Sequence, residues 1–104
     1  MACQLVLQFK CETIEDFDRL ASLEDALDRY LRRSADANLD GHDCGMGEYN
    51  MFIHCNRPET GFENLAAFIG EQSPGLPFSA GYRRFTEDIY TPIWPKSLAV
   101  FSIS

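Results

Sequence analysis

Positive charge is scarce in this chain of 104 residues: nine Lys and Arg stand against sixteen Asp and Glu, a formal charge of -7. A surface of that sign repels phosphate backbones and anionic lipid, so binding to nucleic acid or to a membrane surface by charge is not expected. Long apolar runs are also missing, and nothing approaches the ~20 residues of a membrane-spanning helix. Met1 to Lys10 lack the basic-then-apolar order of a secretory signal, so a cytoplasmic location is the expectation. There is no phosphate loop, no dinucleotide glycine fingerprint, no nucleophile elbow and no H-E-x-x-H, and no cofactor is implied. The four cysteines, Cys3, Cys11, Cys44 and Cys55, form no C-x-x-C pair and are expected to be free thiols.

What is present is hydrophobic periodicity. Leu5, Leu7, Phe9 and Cys11 alternate with Gln4, Gln8 and Lys10, which predicts a strand buried on one face, with Cys3 and Cys11 as small apolar residues in phase with it. Thr13 followed by Glu15 and Asp16 has the form of a helix start. Phe17, Leu20, Leu23, Leu27, Tyr30 and Leu31 then recur at three- and four-residue steps; Ser22 offers a second start inside the same segment. Leu39 to Cys55 carries glycines at 41, 45 and 47 and a second alternating run of Tyr49, Met51, Ile53 and Cys55, which predicts a hairpin. A shorter helix follows Pro58, with Phe62, Leu65, Ala66, Phe68 and Ile69 on one stripe up to Gly70. Strands are expected from Phe78 to Phe85 and from Ile89 to Trp94, the later one at a sheet edge because of Pro92. Ser97 to Ile103 is apolar enough to pack as a further strand or a short helix.

The order strand, helix, hairpin, helix, strand predicts a single α+β domain over residues 1–104. The expected architecture is a ferredoxin-like βαββαβ sandwich: an antiparallel sheet with two helices on one face and extra C-terminal strand or strands. Leu5, Leu7, Phe9, Tyr49, Met51 and Ile53 would face the helices. The opposite face would carry Gln4, Val6, Gln8, Lys10, Asn50, Phe52 and His54, a mixture too apolar for bare solvent and too polar for a core. A second copy of the chain, a ligand or the C-terminal Leu98 to Phe101 would cover it. A homodimer through this face is the favoured reading.

Phe17-Asp18-Arg19-Leu20, Leu23-Glu24-Asp25 and above all the run Asp40 to Ile53 resemble a group of small uncharacterised bacterial proteins. Their shared pattern is a D-G-H-D-x-G-x-G-E-x-N-x-F-I hairpin, preceded by a helix and ending near a Trp-Pro such as Trp94-Pro95. The resemblance spans roughly residues 5 to 95. It implies an α+β sheet domain and brings no activity with it.

Asp40, His42, Asp43 and Glu48 gather carboxylates and an imidazole around one glycine-rich turn, which makes this hairpin the leading candidate site. His42 is the candidate acid/base, with Asp43 or Glu48 orienting it. Asp40, Asn50, Phe52 and His54 are candidate ligand-binding residues. Along an extended strand Asp40, His42 and Cys44 share one face, and His42, Cys44 and His54 would be the ligands of a metal-dependent variant. Asp40-Gly41, and Asp43 before Gly45, are also ordinary turn chemistry, and turn and hairpin architecture is the favoured reading of the cluster. Two functions are weighed, the first as the leading expectation and the second as its alternative. One is a small acidic, non-enzymatic interaction module, of the inhibitor or immunity type, whose first helix steers a basic protein partner. The other is a small-ligand-binding protein or enzyme that uses the Asp40 to Glu48 hairpin.

Overall fold

The computed structural model describes residues 1–103. The chain runs β1 (Cys3–Lys10), α1 (Ile14–Leu31), β2 (Ala37–Gly45), β3 (Glu48–Cys55), α2 (Pro58–Gln72), β4 (Ser79–Arg84) and β5 (Thr91–Trp94). The strands form one antiparallel sheet in the order β2-β3-β1-β4-β5. This α+β arrangement is compatible with a ferredoxin-like one, with β5 added beyond β4 as an edge strand. No helix among the described residues is long and apolar enough to cross a membrane.

Thr13 starts α1. Its hydroxyl accepts the Asp16 N–H at 3.0 Å, and Asp16 returns the bond by accepting the Thr13 N–H at 3.2 Å. This reciprocal cap satisfies donors that a helix end would otherwise leave unpaired, and the helix continues through Ser22 without a second start. Leu20, Leu23, Leu27 and Leu31 make its inner face, and Phe62, Leu65 and Ile69 make that of α2. Both stripes join one core with Leu5, Leu7, Phe9, Tyr49, Met51 and Ile53, the residues expected to face the helices. Each large side chain buried this way contributes roughly 1.5–3 kcal/mol before entropy is charged.

Two local features position the residues of interest. The β2–β3 connection is a two-residue turn at Met46 and Gly47, both with positive φ (53° and 76°), the geometry whose twist matches that of a hairpin. Within β2 the register shifts between Leu39, opposite Ile53, and Gly41, opposite Phe52, so Asp40 is an extra, bulged residue.

The second sheet face is covered in part by the C-terminal segment, which forms neither strand nor helix. Phe101 is buried there against β4. A Cβ on Gly81 would come within 2.6 Å of the Phe101 ring, so glycine is what lets the tail lie this close. The Ser102 carbonyl accepts a hydrogen bond from the Gln8 amide at 3.0 Å, and Tyr90 meets Phe101 edge-on. Val6 on this face is fully buried, and Asn50 is 1% exposed. Of the three covers open to the sequence reading, the chain itself supplies the one over β1 and β4.

Candidate functional site

The hairpin does not bring its sequence cluster together. The bulge at Asp40 shifts the alternation of β2, so His42 lies opposite Met51 and Cys44 opposite Tyr49, on the helix-facing side. Asp40 meets His54 instead, Oδ2 to Nε2 3.4 Å, on the other side of the sheet, where His54 also packs edge-on against Phe85. The expectation that Asp40, His42 and Cys44 share a face is therefore corrected, because it assumed an unbroken period of two. His42, Cys44 and His54 do not converge, and no group of three or more His, Cys, Asp or Glu among the described residues is arranged to hold a metal ion. Asp43 is exposed opposite Asn50, and Glu48 is in register with Lys10 and Gly45. Asn50 accepts a hydrogen bond from Gln8 at 3.0 Å, and Phe52 lies half-buried opposite Val6.

His42 gains a partner that the sequence reading missed. Glu24, on the inner face of α1 and only 9% exposed, places Oε1 2.8 Å from His42 Nδ1. The same oxygen accepts the Tyr49 hydroxyl. His42 and Tyr49 stack with centroids 4.6 Å apart, and Phe17 caps both rings edge-on. A carboxylate taken from water needs such donors, since an unpaired buried charge costs several kcal/mol by order of magnitude. Burial, followed by the hydrogen bond to Glu24 and its charge, pushes the Tyr49 phenol above its ordinary range, so it remains a proton donor to Glu24. The imidazole is thus oriented by a carboxylate from the helix. It stands at the sheet edge with 37% of its side chain exposed.

A concave site lies elsewhere. In this topology α1 ends and α2 begins at the same end of the sheet, and the two helix ends leave a cavity of about 300 Å³ between them and the strands beneath. That is the lower end of the ~300–1,000 Å³ range of small-ligand pockets. Leu5, Leu31, Ile53 and Leu65 line it with apolar surface; Arg33, Ser34, Arg57, Thr60 and Asn64 supply polar groups, together with one carboxylate, Asp36. Arg33 follows α1. Arg57 is the N-cap residue of α2, which has Pro58 in its first turn and no side-chain cap, so its first free N–H groups are left for water or a ligand. Neither guanidinium has an ion-paired or hydrogen-bonded partner among the described residues, whereas Arg32 pairs with Asp28 at 2.9 Å and Arg83 bonds Gln4 and the Glu87 carbonyl. The sequence signal was two arginines, one just after a predicted helix and one just before the next. Converting them into one site required the topology.

Among protein-family models, curated proteins and solved structures, none matches this chain.

Proposed function

We propose that this protein binds a small amphipathic organic anion in the cavity between its two helices. The observation that carries the reading is an apolar recess joined by two arginines that have no partner among the described residues. Leu5, Ile53 and Leu65 would take the apolar body of the ligand. Arg33 and Arg57 would take its carboxylate, sulfonate or phosphate, an arrangement that suits the planar, forked guanidinium. The uncapped start of α2 adds a dipole of the right sign. In a chain of net charge -7, a local pair of unshared cations selects for an anion at one place while the rest of the surface repels it.

Of the acidic residues of α1 that would steer a basic partner protein, Glu24 is turned inward to His42 and Tyr49 and Asp28 is held by Arg32. The interaction-module reading thus rests on charge alone. The cavity adds shape to charge, and for that reason the ligand-binding reading is preferred.

The test is a titration of the full chain with sodium octanoate and with 1-naphthoate, followed by amide NMR, with octanol as the uncharged control. Both carboxylates are expected to shift amides around Thr60, Asn64 and Ile53 and to bind more tightly than octanol. Arg57→Gln should weaken them by about tenfold or more, the worth of a charge-assisted hydrogen bond. Gly61 lines the same cavity, and a side chain there meets open space. Gly61→Leu should therefore fill the recess without loss of folding and abolish binding. Shifts scattered over the surface, or affinities unchanged by both substitutions, would overturn the proposal.

A further inference from the structure

At the end of the sheet remote from the cavity, two thiols that the sequence reading kept apart meet. Cys11 follows the last residue of β1, and its N–H donates to the Gly47 carbonyl at 2.9 Å, which ties the chain to the hairpin turn. Cys44 stands in β2, opposite Tyr49. Their Sγ atoms are 4.0 Å apart, with Cys44 exposed and Cys11 half-buried. Cys11, expected as a small buried apolar residue at the end of its strand, is partly buried against the core and also meets Cys44.

We propose that Cys11 and Cys44 form a reversible dithiol–disulfide pair, oxidised by a hydroperoxide, that staples the tip of the hairpin to the segment entering α1. A disulfide needs its sulfurs about 2.05 Å apart. The closure required is therefore on the order of 2 Å, between a two-residue turn at an edge strand and a short loop. In the first step the exposed Cys44 thiolate attacks the distal oxygen of ROOH. An S–O bond forms, the O–O bond breaks, and the alkoxide leaves as ROH after taking a proton. Cys11 then attacks the Cys44 sulfur; the S–S bond forms, the S–O bond breaks, and the departing hydroxide takes the Cys11 proton to become water. In sum, two thiols and ROOH give a disulfide, ROH and water, with two electrons passing from sulfur to the peroxide.

The division of roles follows from surroundings. Burial first, then the hydrogen bond and charge of Cys44, and finally the charge of Asp16, hold the Cys11 thiol above its ordinary value. Cys11 is the resolving thiol and the more exposed Cys44 is the one that meets the oxidant. The protein also carries its own control. Cys3 and Cys55 face each other in the β1–β3 register, yet both are buried, at 3% and 2% exposure, and burial raises the Cys55 thiol to about 11. Facing another thiol is not sufficient when neither can reach solvent.

The experiment treats the reduced full chain with one equivalent of hydrogen peroxide, alkylates it with N-ethylmaleimide, and maps the peptides by mass. The expected product lacks two hydrogens, contains a Cys11–Cys44 cross-link, returns to the dithiol with dithiothreitol, and melts on the order of ten degrees higher than the reduced form. Cys11→Ser should leave a Cys44 sulfenic acid that dimedone captures, and Cys44→Ser should leave the native chain unreactive; circular dichroism checks that both variants fold. A Cys3–Cys55 link, an intermolecular dimer as the main product, or a Cys44→Ser chain oxidised as fast as the natural one would each refute the assignment. Because cavity and thiol pair lie at opposite ends of the sheet, the ligand titration and this oxidation fail independently.

Discussion

His42 lies flat against Tyr49, its plane 15° from that of the phenol, and both side chains reach the same oxygen of Glu24. One residue from the helix and one from each strand of the hairpin are thereby locked into a single contact. The acid is tolerated inside because two donors meet it, and α1 is held in register on β2 and β3 because the acid is there. Tyr49→Phe removes one donor while keeping the ring, and should cost about 1–3 kcal/mol in urea unfolding. Glu24→Gln should cost a similar amount. The double variant should cost clearly less than the sum, since each single change already breaks the shared bond. Additive losses would show that Tyr49 and Glu24 do not act as a unit.

The architecture was legible wherever alternation and helical spacing were clean. Leu5, Leu7 and Phe9 announced a strand, and Thr13 with Asp16 announced a cap. The candidate site was much less so. Reading Asp40, His42 and Cys44 as one face assumed a strict period of two, and one bulged residue changed the partner of every side chain after it. Such a bulge is decided by how β2 pairs with β3. Glu24 was hidden for a different reason. It sits in a run of acids along α1, and only its phase with Leu20, Leu23 and Leu27 marks it as inward-facing. Arg33 and Arg57, like Cys11 and Cys44, are neighbours through the fold and not through the chain.

The C-terminal segment should be coupled to β4 through a single close approach. Gly81→Ala puts a methyl group where the Phe101 ring now lies, with 2.6 Å to the nearest ring atoms, and overpacking of this kind costs about 1–3 kcal/mol. Phe101→Ala should cost about 3 kcal/mol by uncovering the face that holds Val6. Once Phe101 is gone, Gly81→Ala should cost less than about 0.5 kcal/mol, because nothing remains for the methyl to strike. Chemical denaturation of the four chains measures the cycle, and equal costs of Gly81→Ala in both backgrounds would mean that the tail does not seat on β4.

The start of α1 should give the protein its sensitivity to acid. The hydrogen bond from the Glu12 N–H, joined by those from the Thr13 hydroxyl and N–H and by the charge of Arg19, holds the Asp16 carboxyl below its ordinary value against the opposing effect of burial. A depressed carboxylate contributes stability above its unfolded pKa and loses it as pH falls through the lower, folded one. Asp16→Asn should therefore flatten the acid limb below about pH 4 and leave the alkaline side unchanged. Thr13→Ala, which removes the other half of the cap, should cost about 1 kcal/mol near neutral pH. Stability measured from pH 2 to pH 7 for the three chains decides it.

On the alkaline side the sign reverses. The Cys55 thiol is raised to about 11, by burial first and then by Cys3 and Glu59, and the Tyr49 phenol is raised beyond its usual range by burial and Glu24. Both groups hold their protons more tightly in the folded chain than in the unfolded one. Their stabilising contribution is complete below the unfolded values, roughly 8.5 for a thiol and 10 for a phenol, and drains away as pH rises toward the folded ones. Stability should thus be level through neutral pH and begin to fall near pH 9, with Cys55 setting the first part of the slope and Tyr49 the part above pH 10. Cys55→Ala should lower the plateau, because it leaves a small void beside Cys3, and also reduce the slope between about pH 9 and 11, leaving the part that the raised Cys11 thiol supplies. Tyr49→Phe should spare that slope and flatten only the steeper fall beyond it. If Cys55→Ala keeps the wild-type slope, the thiol is ionising as freely in the fold as out of it, and its burial between β1 and β3 is not what holds the proton.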